Sequence, residues 1–310
     1  MRRPHLIVNP ASANGRTGRR FDAIARAVRE VVGDFEWAFT RRRGHATVLA
    51  RDAVAAGSRL VVAVGGDGTA SEVVDGLAAA REPEVRFGFI PRGTGGDLKR
   101  SVGTPDDTRR AALALRGGER ILDLGRIELT GHDGRPLVRH FANVAGCGID
   151  GLVVEMVDRT TKALGGKASF QIAAARALLG WRDQPVRWRV DGGPWQEEEI
   201  TCIAVCNGRY FGGGMMVAPD AVVDDGLFDV TLWKGLGIAD FVLRRHTLYD
   251  GSHRKLPNTR MLRAREVEVE PVGGARVLVD VDGEGPGLLP ARFTLLPRAL
   301  RLMVPPEEGG

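Results

Sequence analysis

The chain has 310 residues, 43% hydrophobic, 6% aromatic and 27% charged, with a formal net charge of +5. That length suits two domains with sizeable cores, and no run approaches the roughly 18 apolar residues of a membrane span. Thirty-nine of the 44 basic residues are arginine, a compositional bias; with so few aromatics and no nucleic-acid motif, no nucleic-acid partner is expected.

The residues Met1-Arg2-Arg3-Pro4 run straight into a strand, so no signal peptide is expected. The stretch His5–Val8 reads as that strand and ends in the polar loop Asn9–Arg16. Helical stretches over Arg19–Val32 and Ala46–Ala56 follow. The β-branched run Leu60–Val64 reads as a buried strand, ending in Gly65-Gly66-Asp67-Gly68-Thr69. Val73, Val74 and Leu77 then recur at helical spacing. A glycine loop between a strand and a helix offers free N–H groups and a positive helix end to a phosphate. No Lys-Ser/Thr pair closes the loop, so it is not a P-loop. Asp67 would repel a bare phosphate, which points to an intervening cation or water network. The next strand, Phe87–Ile90, ends in a second such loop, Pro91–Leu98, with Asp97 embedded. Three strands ending in polar, glycine-bearing loops suggest a nucleotide site at the carboxyl edge of a parallel sheet.

Beyond Asp123 the texture changes. Strand-like runs lie at Ile127–Leu129, Val186–Val190, Ile200–Cys206, Leu227–Leu232, Val267–Val269 and Val277–Val281. Helical patterns recur near Ile149–Asp158, Ser169–Leu179 and Ile238–Tyr249. This predicts a mainly antiparallel second domain. Cys147, Cys202 and Cys206 form no disulfide framework and fit a reducing, cytoplasmic setting, with Cys202 and Cys206 on one strand face as small core residues. Asp280, Asp282 and Glu284 would share one strand face by alternation. Taken alone, Asp282-Gly283-Glu284 reads either as a turn with solvent-facing acids or as a carboxylate that accepts a proton from an attacking hydroxyl. Arg244-Arg245 lies on a helix with Phe241, Val242, Leu243 and Leu248, and Arg254-Lys255 and Arg260 follow. This region is expected to dock on anionic membrane, against the plainer reading of a surface helix packing its apolar face inward.

The ordered set resembles the diacylglycerol kinase catalytic-domain family, the soluble bacterial lipid kinases related to sphingosine and ceramide kinases. Carrying the resemblance are Asn9-Pro10, the Gly65–Thr69 loop with Glu72, Gly93-Thr94 with Asp97, Asp123 and Phe141–Gly148. It continues through Asn207-Gly208, Phe211–Met215, Ala218–Ala221, Asp224–Leu227 and Asp282–Glu284. The first loop alone also occurs in NAD kinases.

The resemblance implies an α/β plus β fold, with a Rossmann-like N-terminal parallel-sheet domain over 1–123, completed by 296–306. A β-sandwich lipid-substrate domain over 124–295 and a frayed tail at 307–310 make up the rest, with a nucleotide site in the inter-domain cleft. It implies ATP and Mg2+, and a lipid acceptor at the membrane surface, with diacylglycerol leading. The implied protein is cytoplasmic and peripherally membrane-associated, and a homodimer is allowed. Asn9, Thr40, Gly65, Gly66, Asp67, Gly68, Thr69, Glu72, Gly93, Thr94, Asp97 and Asp123 match nucleotide-side positions. Glu284 is implied as general base, with Asp282 as a supporting or alternative proton acceptor. Asp225, with the Val222 and Leu227 carbonyls, matches a structural Mg2+ site, set against a plain Asp-Gly turn. Three positions depart from the family pattern: Ala70-Ser71 stands for its Leu-Asn, and Gly96 for its Asn. The alternatives are an NAD-kinase-like soluble phosphotransferase and a non-catalytic lipid- or nucleotide-binding regulator.

Overall fold

A computed structural model describes residues 3–159 and 166–306; the expected tail at 307–310 lies outside the described residues. The chain divides into two compact units, Met1–Asp123 with Pro297–Gly310, and Leu124–Leu296.

The first unit alternates strands and helices. In order these are β1 (His5–Val8), α1 (Arg16–Arg19), α2 (Phe21–Val32), β2 (Glu36–Phe39), α3 (His45–Ala55), β3 (Leu60–Gly65), α4 (Asp67–Ala80), β4 (Arg86–Pro91), α5 (Asp97–Val102) and α6 (Thr108–Ala114). The strands pair in parallel in the order β4-β3-β1-β2. Leu6, Val8, Leu60, Val62 and Val64 pack with Ile24 and Val28 of α2 and Ala111 and Ala112 of α6. Ile7, Val61 and Ala63, the alternating residues, are also fully buried, as strands covered on both faces require. The chain moves from β1 to β2 on one side and then returns to place β3 on the other. The order reverses between β1 and β3, and ligands of open α/β sheets bind outside the carboxyl ends of strands at such a point.

The second unit begins within β5 (Gly118–Gly131) and continues through β6 (Pro136–Phe141), β7 (Val144–Gly148), α7 (Ile149–Arg159), α8 (Gly166–Gly180), β8 (Gln184–Val190), β9 (Gln196–Ile200) and β10 (Cys202–Cys206). It ends with β11 (Tyr210–Phe211), β12 (Met215–Met216), β13 (Phe228–Trp233), α9 (Ile238–Arg244), α10 (Thr247–Asp250), β14 (Thr259–Ala264), β15 (Glu266–Pro271), β16 (Leu278–Val281) and β17 (Glu284–Val304). One antiparallel layer runs β14-β13-β10-β7-β16-β17. The other contains β9, β8, β15, β17, β5 and β6. Long β17 serves both, pairing β16 near Gly287 and Leu288 and β15 over Ala291–Thr294. Phe141 stacks on Phe228 and meets Phe293 edge-on inside this sandwich. The far end of β17 lies parallel to β4 in the first unit, with Arg301 beside Arg86.

Two readings of single elements change. The apolar run Ile200–Cys206 is not one strand: it breaks at buried Thr201, where the chain leaves β8's neighbour β9 for β10, between β7 and β13. The helical pattern near Ile238–Tyr249 is divided into α9 and α10.

Candidate active site

The nucleotide-side residues gather at the carboxyl edge of the parallel sheet. Asn9 follows β1, donates its backbone N–H to the Val64 carbonyl at 2.9 Å, and donates Nδ2–H to Thr69 Oγ1 at 3.1 Å. The loops after β1 and β3 are thereby tied together at the switch point. Thr40 follows β2, with its N–H on the Val8 carbonyl at 2.8 Å. Gly66 precedes α4, whose first turn has no side-chain cap, so its N–H groups are suited to an anion.

The two glycine loops touch backbone to backbone. A Cβ on Gly93 would come 2.5 Å from the Gly66 Cα, and one on Gly66 would come 3.3 Å from the Gly93 Cα. Gly68 differs: a Cβ there would meet nothing within 4 Å. Neither Gly66 nor Gly68 has a positive φ. Gly66 is explained by close approach, while no neighbouring protein atom explains Gly68.

Asp67 Oδ2 accepts the N–H groups of Gly96 at 2.5 Å and Asp97 at 3.1 Å. Its other oxygen, Oδ1, is buried without a hydrogen-bond partner. Burial, and then the charge of Asp97, raise the Asp67 carboxyl above its ordinary pKa, against the N–H groups that favour the anion. A buried carboxylate with one oxygen fixed and one unsatisfied suits a hydrated divalent cation, which needs few direct protein ligands. Asp97 lies beside it and pairs with Arg100 at 2.8 Å. Gly96 sits at φ +75°, in the left-handed region that glycine and asparagine both tolerate. The departure from Asn at this position therefore keeps the backbone geometry while removing an amide.

Glu72 and Asp123 each hold a backbone N–H elsewhere in the first unit. Buried Glu72 accepts the Ala46 N–H at 2.8 Å, and so caps α3. Asp123 accepts the Arg298 N–H at 2.7 Å. Glu119, earlier on the same strand, meets Arg86 and Arg301. The structure brings together Asp67 and Asp97.

In the second unit, β16 and β17 form a hairpin through Asp282 (φ +49°) and Gly283 (φ +85°), the conformations an Asp-Gly two-residue turn requires. This corrects the expected single acidic face. The turn places Glu284 opposite Val281 on the partner strand, whereas Asp280 is buried. Both Asp282 oxygens accept backbone N–H groups, from Ala142, Asn143 and Val144 at 3.2, 3.1 and 3.0 Å. Its geometry is that of an anchor for the Phe141–Val144 segment, not of a second proton acceptor. Glu284 instead pairs with Arg139 Nη2 of β6 at 2.9 Å. Sequence reasoning missed Arg139, which is distant in the chain and sits in an ordinary strand pattern.

Behind the hairpin lies another missed group. Asp150, at the start of α7, has Oδ2 over Gly146, the cross-strand neighbour of Asp280. Both carboxyls are buried, and neither has a cationic partner among the described residues. Burial pushes Asp150 up to about 7, although the Gly151 N–H and Cys202 thiol donate to it. Burial and then Asp150 push Asp280 well above its ordinary range.

The expected Asp225 metal site does not fit. One Asp225 oxygen accepts the Leu227 N–H at 3.2 Å, and the other faces the Arg263 guanidinium. A cation there would have to displace an existing positive charge. The segment is an Asp-Gly turn, with Gly226 at φ +79° and Val222 exposed.

Residues 3–127 match the family model described as diacylglycerol kinase catalytic domain, and 143–304 match the YegS C-terminal NAD kinase beta sandwich-like domain. The chain belongs to the diacylglycerol kinase catalytic-domain family. The diacylglycerol kinase of Mycobacterium tuberculosis (strain H37Rv) is 32% identical, covering 82% of this chain and 79% of that one. The diacylglycerol kinase of Bacillus subtilis is 29% identical, covering 100% and 98%. A crystal structure of a diacylglycerol kinase from Bacillus anthracis superposes with a TM-score of 0.71 at 24% identity, covering 97% and 96%, and shares the fold. Family membership thus spans both units.

Proposed function

We propose that this family member is an ATP- and Mg2+-dependent lipid kinase that phosphorylates a lipid hydroxyl, with diacylglycerol to phosphatidic acid as the leading reaction. The observation that carries the proposal is the half-satisfied Asp67 carboxylate between two packed glycine loops, at the switch point of a sheet whose family is that of diacylglycerol kinases. The N–H groups at the start of α4 bind nucleotide phosphate, and Gly68 leaves room beside them. Asp67 holds the hydrated ion, with Asp97 adding negative charge. Bound there, Mg2+ would neutralise phosphate charge.

Glu284 accepts the proton of the lipid hydroxyl as its oxygen attacks the γ-phosphorus and ADP departs. Arg139 holds Glu284 in place, and Asp282 fixes the turn that presents it. Among the described residues no helix is long and apolar enough to cross a membrane. In this reading, the lipid acceptor is met at the bilayer surface by peripheral association from the cytoplasm.

The test is incubation with labelled ATP, Mg2+ and a choice of acceptors: diacylglycerol, sphingosine, ceramide and phosphatidylglycerol in micelles, and NAD in solution. Label in a lipid supports the reading. Label in NAD alone makes the protein an NAD-kinase-like phosphotransferase instead.

A further inference from the structure

Helices α8 and α9 pack together through Phe241, which lies against Val153, Ala173, Ala174 and Ala177. Their outward residues are unusually apolar. Leu179 is 70% exposed, Val242 61% and Leu243 74%. Ile172 is exposed too, and it lies one heptad from Leu179, with Arg176 between them on the same face. Isolated apolar side chains at a surface are ordinary. Here two adjacent ones crown α9, and a third stands on the helix packed beside it.

The unpaired charges on these segments are predominantly positive. Arg245, Lys255, Arg176 and Arg182 are exposed and have no carboxylate partner among the described residues. Of the acids on these segments, Asp240 and Asp220 are neutralised by arginine, whereas Asp183 and Asp250 are held only by neutral donors and keep their charge. Asp240 pairs with Arg244 at 3.5 Å, Asp220 pairs with Arg254 at 2.9 Å, and Asp183 accepts from Thr201 and Gly235. Asp250 accepts the Ser252 N–H. Arg260 is committed elsewhere, over the Trp188 ring and beside Gln196.

We infer that the outer face of α8 and α9 is where the protein rests on an anionic bilayer, with Val242, Leu243 and Leu179 entering the interface and Arg245, Lys255, Arg176 and Arg182 at headgroup level. The inference rests on the lipid-kinase reading for its motive, but on these side chains for its location. Exposed apolar tips together with four unpaired cations against two unpaired carboxylates match the two attractions of an interfacial helix, burial of apolar area and attraction to anionic headgroups. A two-fold contact between copies of this face would bring the same unpaired cations together, which disfavours a self-association surface.

The experiment is sedimentation with vesicles of equal parts phosphatidylcholine and phosphatidylglycerol, containing no diacylglycerol and no nucleotide. Wild type is compared with a Val242→Ser/Leu243→Ser double variant and with Arg245→Glu. Each variant should bind roughly tenfold more weakly, and the loss in Arg245→Glu should shrink as salt screens the charges. Phosphorylation of a dispersed, water-soluble short-chain diacylglycerol should be unchanged in both. These altered side chains are exposed, and circular dichroism checks the fold. Wild-type binding to anionic vesicles in both folded variants would overturn the proposal, as would self-association of the wild type that the double variant abolishes. If no lipid is phosphorylated by any form, the kinase reading fails while the vesicle result still decides this surface.

Discussion

Asp67 Oδ2 and the Gly96 N–H, 29 residues apart in the chain, meet at 2.5 Å and join the start of α4 to the start of α5. One carboxylate oxygen thus holds the second glycine loop against the first, while Oδ1 is left buried and unsatisfied. Asparagine can keep the accepting oxygen but not the charge. Asp67→Asn is expected to remain folded and to lose roughly 10²-fold or more in Mg-ATP-dependent turnover. Titration of activity with Mg2+ checks it, and an unchanged Mg2+ requirement would remove Asp67 from the ion's surroundings.

Two glycines in these loops should respond in opposite directions. A methyl group at Gly93 collides with the Gly66 backbone, so Gly93→Ala should cost about 1–3 kcal/mol of stability. Gly68 lies within α4 with open space where its Cβ would be. Gly68→Ala should leave stability unchanged or raise it by up to about 1 kcal/mol, while weakening Mg-ATP binding about tenfold. Urea unfolding and calorimetric titration separate the two effects. A Gly68→Ala protein with full nucleotide affinity would place the phosphates elsewhere.

The strand–helix alternation of the first unit, its glycine loops and the mainly antiparallel character of the second unit were legible in the sequence because each rests on local patterns, whereas the sandwich came from the family resemblance and the order β4-β3-β1-β2 depends on pairings between distant segments. Apolar runs end in turn residues, and periodicity changes from helical to alternating. What was not legible depends on partners distant in the chain. Glu72 looks like part of the nucleotide loop until its oxygen is seen on the Ala46 N–H. Asp225 looks like a metal ligand until Arg263 faces it. Asp282 defeated simple alternation because its positive φ ends the strand. The Asp150–Asp280 pair was hidden because Asp280 was read only with Asp282 and Glu284, Asp150 sits in an ordinary helical pattern, and only the β7–β16 register brings them close.

That buried pair sets a pH dependence. The folded pKa of Asp150, about 7, lies above its ordinary 3.8, so the folded state holds a proton that the unfolded chain releases. Its contribution to stability is fully present below about pH 4 and is lost as pH rises through about 7. Asp150→Asn should therefore be more stable than wild type at pH 8, by about 2–4 kcal/mol, with a shallower loss between pH 4 and pH 8. Urea midpoints across that range check the sign. A variant that is less stable at pH 8 would show that the pair is not strained by charge.

The central claim is that a carboxylate at the β16–β17 hairpin takes the proton from a lipid hydroxyl during phosphoryl transfer from ATP. It is tested most directly by following the γ-phosphate of labelled ATP into diacylglycerol in mixed micelles, for wild type and for Glu284→Gln. The account predicts labelled phosphatidic acid from wild type. It predicts a fall of about 10²–10⁴ in rate for the variant, with Mg-ATP affinity retained. Phosphatidic acid formed by Glu284→Gln at the wild-type rate would contradict it.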